Sequence, residues 1–153
     1  MSETTDMADA APTPNLDPET WERPVPGVDN VSKVFWEAAA RGELLFQSCP
    51  ACGNRQFYPR AICTACGGEP DWATASGRGT VYTFTVVRQN GTPPFRNELP
   101  YVVAMVDLEE GVRMMGNVVE CSVDDVHVGL PVEVVTVKLE EGLGIPFWRP
   151  AAG

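Results

Sequence analysis

The sequence holds a single histidine, His127, among 153 residues. With one imidazole, set between two valines in "VDDVHVG", no Cys–His or Ser–His constellation can be built, and the residue reads as part of a surface strand or turn. Basic side chains are also scarce. Eleven Lys and Arg against twenty-one Asp and Glu leave a net charge of -10, a field that opposes the phosphate backbone and argues against nucleic acid as a partner. No segment approaches the roughly 18 consecutive apolar residues of a membrane span, and the N-terminus has neither a basic n-region nor an apolar h-region. The expectation is a cytoplasmic protein with no membrane partner. "SGRGTV" lacks the strand-then-helix setting of a phosphate loop. The acidic pairs Glu109–Glu110, Asp124–Asp125 and Glu140–Glu141 fall at turns and read as solvated charge, not as paired acid and base.

Cysteine is present and concentrated. In "CPACGNRQFYPRAICTACGG" Cys49 and Cys52 form one C-x-x-C, Cys63 and Cys66 another, with ten residues between the pairs. In a reducing compartment four clustered thiols point to metal before disulfides. Zinc takes four thiolates in a tetrahedron, and two short loops facing each other supply that geometry. A filled four-cysteine shell leaves no position for water or substrate, so the metal is expected to be structural. Iron in a rubredoxin-like site and a dithiol redox pair are the other readings of this motif. The fifth cysteine, Cys121, reads as a small apolar residue at the rim of the later strands.

Residues 1–29 contain five prolines, seven acids and one base, Arg23, a composition read as a disordered acidic tail whose one notable apolar residue is Trp21. "NVSKVFWEAAARGEL" then predicts a short helix with Ser32 at its N-cap and Gly42 just past its end. Too short to stand alone in water, it has to pack Phe35 and Trp36 against the ribbon, a barrel or another subunit. After the cysteines the pattern turns to β. "GRGTVYTFTVVRQ" (77–89), "PYVVAMVDLEEG" (100–111), "VRMMGNVVE" (112–120), "LPVEVVTVKLEE" (130–141) and "IPFWRP" (145–150) suit a small closed barrel, with Gly116 as a point of sharp bending. Tyr82 and Phe84 share a strand face and read as core. The fold class is mainly β: a helix and rubredoxin-like four-cysteine zinc ribbon over 30–75, then a five-stranded OB-fold barrel over 76–150.

Taken in order, "FWEAAARGELLFQSCPACGNRQFYPRAICTACG", "SGRGTVYTFTVV", "PYVVAMVDLEEGVRMMGNVV", "VGLPVEVV" and "PFWRP" resemble the zinc-ribbon plus OB-fold proteins associated with acyl-CoA metabolism. The resemblance runs from about residue 30 to residue 150. It implies structural Zn2+ on Cys49, Cys52, Cys63 and Cys66, and a thiolase-fold large subunit of the lipid-transfer type as partner, in two copies of each chain. A hydratase is a further partner in that family. The partner carries the chemistry, thiolase or aldolase cleavage of C–C bonds in CoA thioesters of steroid side chains, fatty acids or aromatic compounds. Phe35 and Trp36 match the family's N-terminal helix and are expected to help dock that partner. The long acidic tail is a departure that the family core does not need. The leading expectation is therefore a non-catalytic accessory subunit that stabilises its partner and shapes the entrance to the partner's site. An alternative is a carrier of CoA or its thioester, with Arg88 and Arg96 beside the long 90–100 loop as phosphate contacts. Third comes a binder of single-stranded nucleic acid.

Overall fold

The computed structural model describes residues 14–152. Helix α1 (Lys33–Ala40) is followed by three ribbon strands, β1 (Leu45–Ser48), β2 (Arg55–Gln56) and β3 (Asp71–Thr74), paired antiparallel in the order β2-β1-β3. Five longer strands come next: β4 (Arg78–Val87), β5 (Tyr101–Leu108), β6 (Arg113–Val118), β7 (Pro131–Glu140) and β8 (Leu143–Pro150). They close into a barrel in the order β4-β5-β6-β8-β7. The closure step is β6 against β8, a parallel contact at Val118 and Trp148. This is the mainly β fold expected, an OB-type barrel carrying a ribbon and one short helix.

The barrel strands form because β-branched residues alternate inward along them. In β5 the alternation is complete, with Val102, Ala104, Val106 and Leu108 buried and their neighbours half-exposed. Phe35 and Phe46 belong to the same buried cluster as Val106 and Trp148, so one core runs from helix and ribbon into the barrel. Along β4 the pairing with β5 shifts between Val81 and Thr83. Tyr82 follows the alternation set by buried Gly79 and Val81 and faces outward at 50% exposure, with Arg113 3.5 Å above its ring. The bulge changes the phase so that Phe84 packs on the core, and the two aromatics do not share a face as expected.

Helix α1 is eight residues long, within the span expected, and Gly42 at φ +83 follows its end. Its cap differs from expectation. Ser32 occupies the N-cap position but makes no side-chain cap bond; Asp29 Oδ1 accepts from the backbone N–H of Val31 and Ser32 and from the Ser32 hydroxyl at 2.7 to 3.0 Å. Those bonds, the Ser32 backbone N–H first, hold the Asp29 carboxyl below its ordinary value.

Residues 1–13 of the expected disordered tail lie outside the described residues. From Pro14 onward the chain is laid along the barrel, contrary to a tail running to Asp29. The physical reason is one polar and one aromatic anchor that composition hides. Arg23 Nε donates to Glu98 Oε2 at 2.9 Å, and Trp21 meets Phe147 edge-on at 6.1 Å between centroids.

Candidate metal centre and the groove beside it

Each C-x-x-C sits on a tight turn whose glycine N–H reaches back: Gly53 to the Cys49 carbonyl at 2.8 Å, Gly67 to the Cys63 carbonyl at 2.9 Å. The two turns face each other, so that the four Sγ atoms lie within 4.8 Å of one another. Two of the separations are 3.6 Å (Cys49 to Cys66) and 3.7 Å (Cys52 to Cys63). A tetrahedron of sulfurs at the usual zinc distance has edges of about 3.8 Å.

The electrostatics carry the same requirement. The Cys66 and Ala65 backbone N–H groups pull Cys63 down to about 6, against desolvation. At Cys52 the Asn54 backbone N–H works in the same sense, but desolvation and the surrounding thiols outweigh it and push the group up to about 12. Four thiols this close cannot all ionise without a cation between them; a divalent metal removes that conflict. The site is a structural zinc site, with Cys49 and Cys63 buried and Cys52 and Cys66 at the surface.

A polar relay holds the loop between the two pairs. The buried Gln47 side chain donates to the Arg60 carbonyl at 2.9 Å and accepts from the Arg60 N–H and from Gln56 Nε2, both at 2.8 Å. Gln56 in turn accepts the Thr64 N–H at 2.9 Å. Tyr58 and Ile62 are thereby presented outward, at 49% and 58% exposure, on a backbone fixed from behind.

Of the helix aromatics, Phe35 is 3% exposed and stacks on Phe57 at 5.2 Å, so it fastens the helix to the ribbon from inside. Trp36 is half-buried and lines an open groove, leaving it the better placed of the pair for an outside contact. Arg88 and Arg96 are both exposed, neither lines that groove, and among the described residues no carboxylate pairs with either. Cys121 is half-buried, and burial together with Asp125 pushes its thiol up, away from a ready nucleophile. His127 is exposed, and its ring Nδ1 lies 3.1 Å from the neighbouring Val128 carbonyl.

One long-range polar cluster was invisible in the sequence. The Arg23 guanidinium pairs with Glu98, with side-chain exposures of 11% and 9%, and Nη1 donates to Asn117 Oδ1 at 3.0 Å. Its central carbon lies 5.4 Å from the centre of the Phe95 ring and 5.5 Å from that of Phe147. Glu98 also accepts the Asn15 N–H at 3.0 Å. One side chain therefore ties the N-terminal arm to the 90–100 loop, β6 and β8. Arg23→Ala is expected to cost about 2 kcal/mol, the cost of an unsatisfied buried group limited by the arm lifting so that Glu98 rehydrates. Limited proteolysis checks it: cleavage within 14–29 should quicken while the barrel stays resistant. Lysine should restore little, because it cannot serve Glu98 and Asn117 as a planar fork does.

The arm, α1, the ribbon loop, Phe95 of the 90–100 loop, β6 and β8 together wall a groove of about 570 Å3. Fold and metal centre define a class: a closed-shell zinc ribbon seated on a small OB barrel, with no metal vacancy for catalysis. Family models for the ChsH2 rubredoxin-like zinc ribbon domain and the ChsH2 C-terminal OB-fold domain match residues 36–72 and 72–137. The chain belongs to this ChsH2 zinc-ribbon and OB-fold family.

Its similarities extend to curated relatives and a solved structure. A DUF35 domain-containing scaffold protein of Methanothermobacter thermautotrophicus is 37% identical over 103 residues, 66% of this chain and 77% of the relative. A probable enoyl-CoA hydratase alpha subunit of Thermomonospora curvata is 37% identical over 131 residues, 84% of this chain; the chain spans only 40% of that relative's length. The solved structure titled Ltp2-ChsH2(DUF35) aldolase superposes with a TM-score of 0.74 at 34% identity, covering 83% of this chain and 99% of the matched one.

Proposed function

We propose that this chain is a non-catalytic accessory subunit of an acyl-CoA-processing complex. Its partner is a thiolase-fold subunit that cleaves C–C bonds of CoA thioesters, present in two copies with two copies of this chain. A hydratase is a further partner that the T. curvata relative's name supports. The carrying observation is the metal centre: four thiolates fill the zinc shell, so this metal site has structural work only. The scaffold name of the archaeal relative and the aldolase title of the superposed structure support the role and the partner's chemistry. Cys49, Cys52, Cys63 and Cys66 hold the zinc, and Trp36 stands at the partner face, with Phe35 fixing the helix behind it.

The test is to produce the thiolase-fold partner with and without this chain. The partner alone should be insoluble or inactive on its acyl-CoA, and co-production should restore both properties; a partner fully stable and active alone contradicts the reading. The exposed Arg88 and Arg96, which pair with no carboxylate among the described residues, favour a second reading, a CoA carrier. Calorimetry with free CoA on wild type and on Arg88→Ala/Arg96→Ala decides that one: the carrier requires binding that the double variant loses.

A further inference from the structure

Among the described residues the buried polar side chains are Gln47, Gln56 and Glu98, and the two glutamines stand behind the metal centre. Burying an amide costs free energy unless its donors and acceptors are met. Here they are met, and the bonds lead to a cysteine. Gln56 Oε1 accepts from the Thr64 N–H at 2.9 Å and from its hydroxyl at 3.1 Å, while Gln56 Nε2 donates to Gln47 Oε1 at 2.8 Å and to the Ile62 carbonyl at 3.2 Å. A further donor to Gln56 Oε1 is Asn54 Nδ2, at 3.4 Å. The same nitrogen lies 3.6 Å from Cys63 Sγ and 3.3 Å from the Thr64 hydroxyl oxygen. Three acceptors around one atom fix it as the nitrogen of the Asn54 amide and not its oxygen.

Asn54 follows the first cysteine pair in the chain, yet its side chain reaches the second. Its backbone carbonyl accepts the Cys49 N–H at 2.8 Å, so one residue ties both halves of the ligand set. Cys63 is 1% exposed, and the Ala65 N–H also points at its sulfur, at 3.4 Å. Four thiolates outweigh the charge of one divalent ion, so the loaded centre keeps an excess of negative charge that N–H donors have to spread. Hydrogen bonds to a charged acceptor are the strong kind.

We propose that Asn54 is a positioning residue of the zinc centre: its amide takes up part of the Cys63 thiolate charge and, through Gln56 and Gln47, couples the hold on the metal to the shape of the exposed 57–62 loop. Gln47 closes the relay on Arg60, accepting its N–H and donating to its carbonyl, and Gln56 holds the Ile62 carbonyl. A loop that shifts pulls the amides away from the sulfur, and a sulfur without its donor releases the loop. Such coupling acts equally in both directions.

The experiment uses the full 153-residue chain, loaded with Zn2+ or with Co2+ in its place. In competition with a chromogenic chelator Asn54→Ala should loosen zinc about tenfold. In the cobalt form its thiolate-to-metal charge-transfer band should move to longer wavelength, because a sulfur that has lost an N–H donor gives up electrons more easily. Asn54→Asp separates charge from packing. It keeps the shape but turns an anionic oxygen towards the sulfur, so it should loosen zinc more than alanine does; a residue that only filled space would be better replaced by aspartate. Trypsin should cut zinc-loaded Asn54→Ala after the exposed Arg60 several-fold faster than wild type, with cutting after the exposed Arg88 as the reference. Should the alanine variant hold no cobalt, the comparison passes to Asn54→Ser, which keeps a shorter donor and should displace the band in the same sense by less. A band and a zinc affinity that survive loss of the amide unchanged overturn the proposal, and so does an aspartate variant that holds zinc more tightly than the alanine one. A displaced band with unchanged cutting after Arg60 overturns the coupling to the loop.

Discussion

Cys63→Ala is expected to release the zinc and melt residues 45–74 as a unit, while β4 to β8 remain paired. Apart from Phe46 in the shared core and the Gln47–Gln56 relay, the ribbon has little else to hold it. Its strands are four, two and four residues long, and β1 meets β2 at only two positions. A sheet of this size is marginal without a staple. Structural zinc supplies on the order of 10 kcal/mol of binding free energy in small ribbons and fingers, as large as the whole stability of many domains. Losing one thiolate also loosens the helix, because Phe35 is stacked on Phe57 of the ribbon. Metal release read with a chromogenic chelator, and hydrogen exchange resolved along the chain, check both parts. Fast exchange over the ribbon and α1 with the barrel still protected is the expected pattern. Unchanged exchange and an unchanged melting temperature after chelation would mean that zinc does not hold this ribbon.

Gly144→Val is the second large effect, and it acts on the helix from the barrel side. A Cβ at position 144 would clash with the Ala40 nitrogen and with the Ala39 carbonyl carbon and oxygen. Those are backbone atoms, so no rotamer change relieves the clash and α1 has to lift from β8. Overpacking of this kind costs about 3 kcal/mol, and more where the backbone must move. The lift also uncovers Ala38 and Ala39, now at 0% and 1% exposure, and unseats Phe35. Denaturant titration should show a lowered midpoint for Gly144→Val and an intermediate one for Gly144→Ala. Gly91→Ala is the matched control, since a Cβ there meets nothing within 4 Å.

What could be read without coordinates follows from range. The cysteine pairs are local and carry their chemistry in their spacing, so ligand set and metal were legible at once. The barrel strands were legible because β-branched residues alternate, as along Tyr101–Leu108. Features that depend on distant partners were not. Arg23 and Glu98 are 75 positions apart, and each taken alone looks like solvated charge; nothing near Arg23 in the sequence marks it as the latch of the arm. Tyr82 and Phe84 share a face on paper, and a one-residue bulge puts Tyr82 outside and Phe84 against the core. Gly116 reads as a bend, yet what requires glycine there is Trp148, whose ring carbon would stand 2.9 Å from a Cβ. Gly144 carried no signal, because the helix that crowds it lies about a hundred residues earlier in the chain. The groove is the extreme case: its walls come from six segments, 21–27, 32–36, 57–59, Phe95, 114–117 and 145–147, and only their assembly makes one surface.

The central claim is that the chemistry belongs to a different chain. The most direct measurement is gentle affinity purification of this protein from its native host, with mass and activity determined on what elutes. The account requires a thiolase-fold subunit to co-elute in equal amount, turnover of an acyl-CoA by the complex, and none by this chain once separated. Elution of this chain by itself, with acyl-CoA turnover of its own, would contradict it.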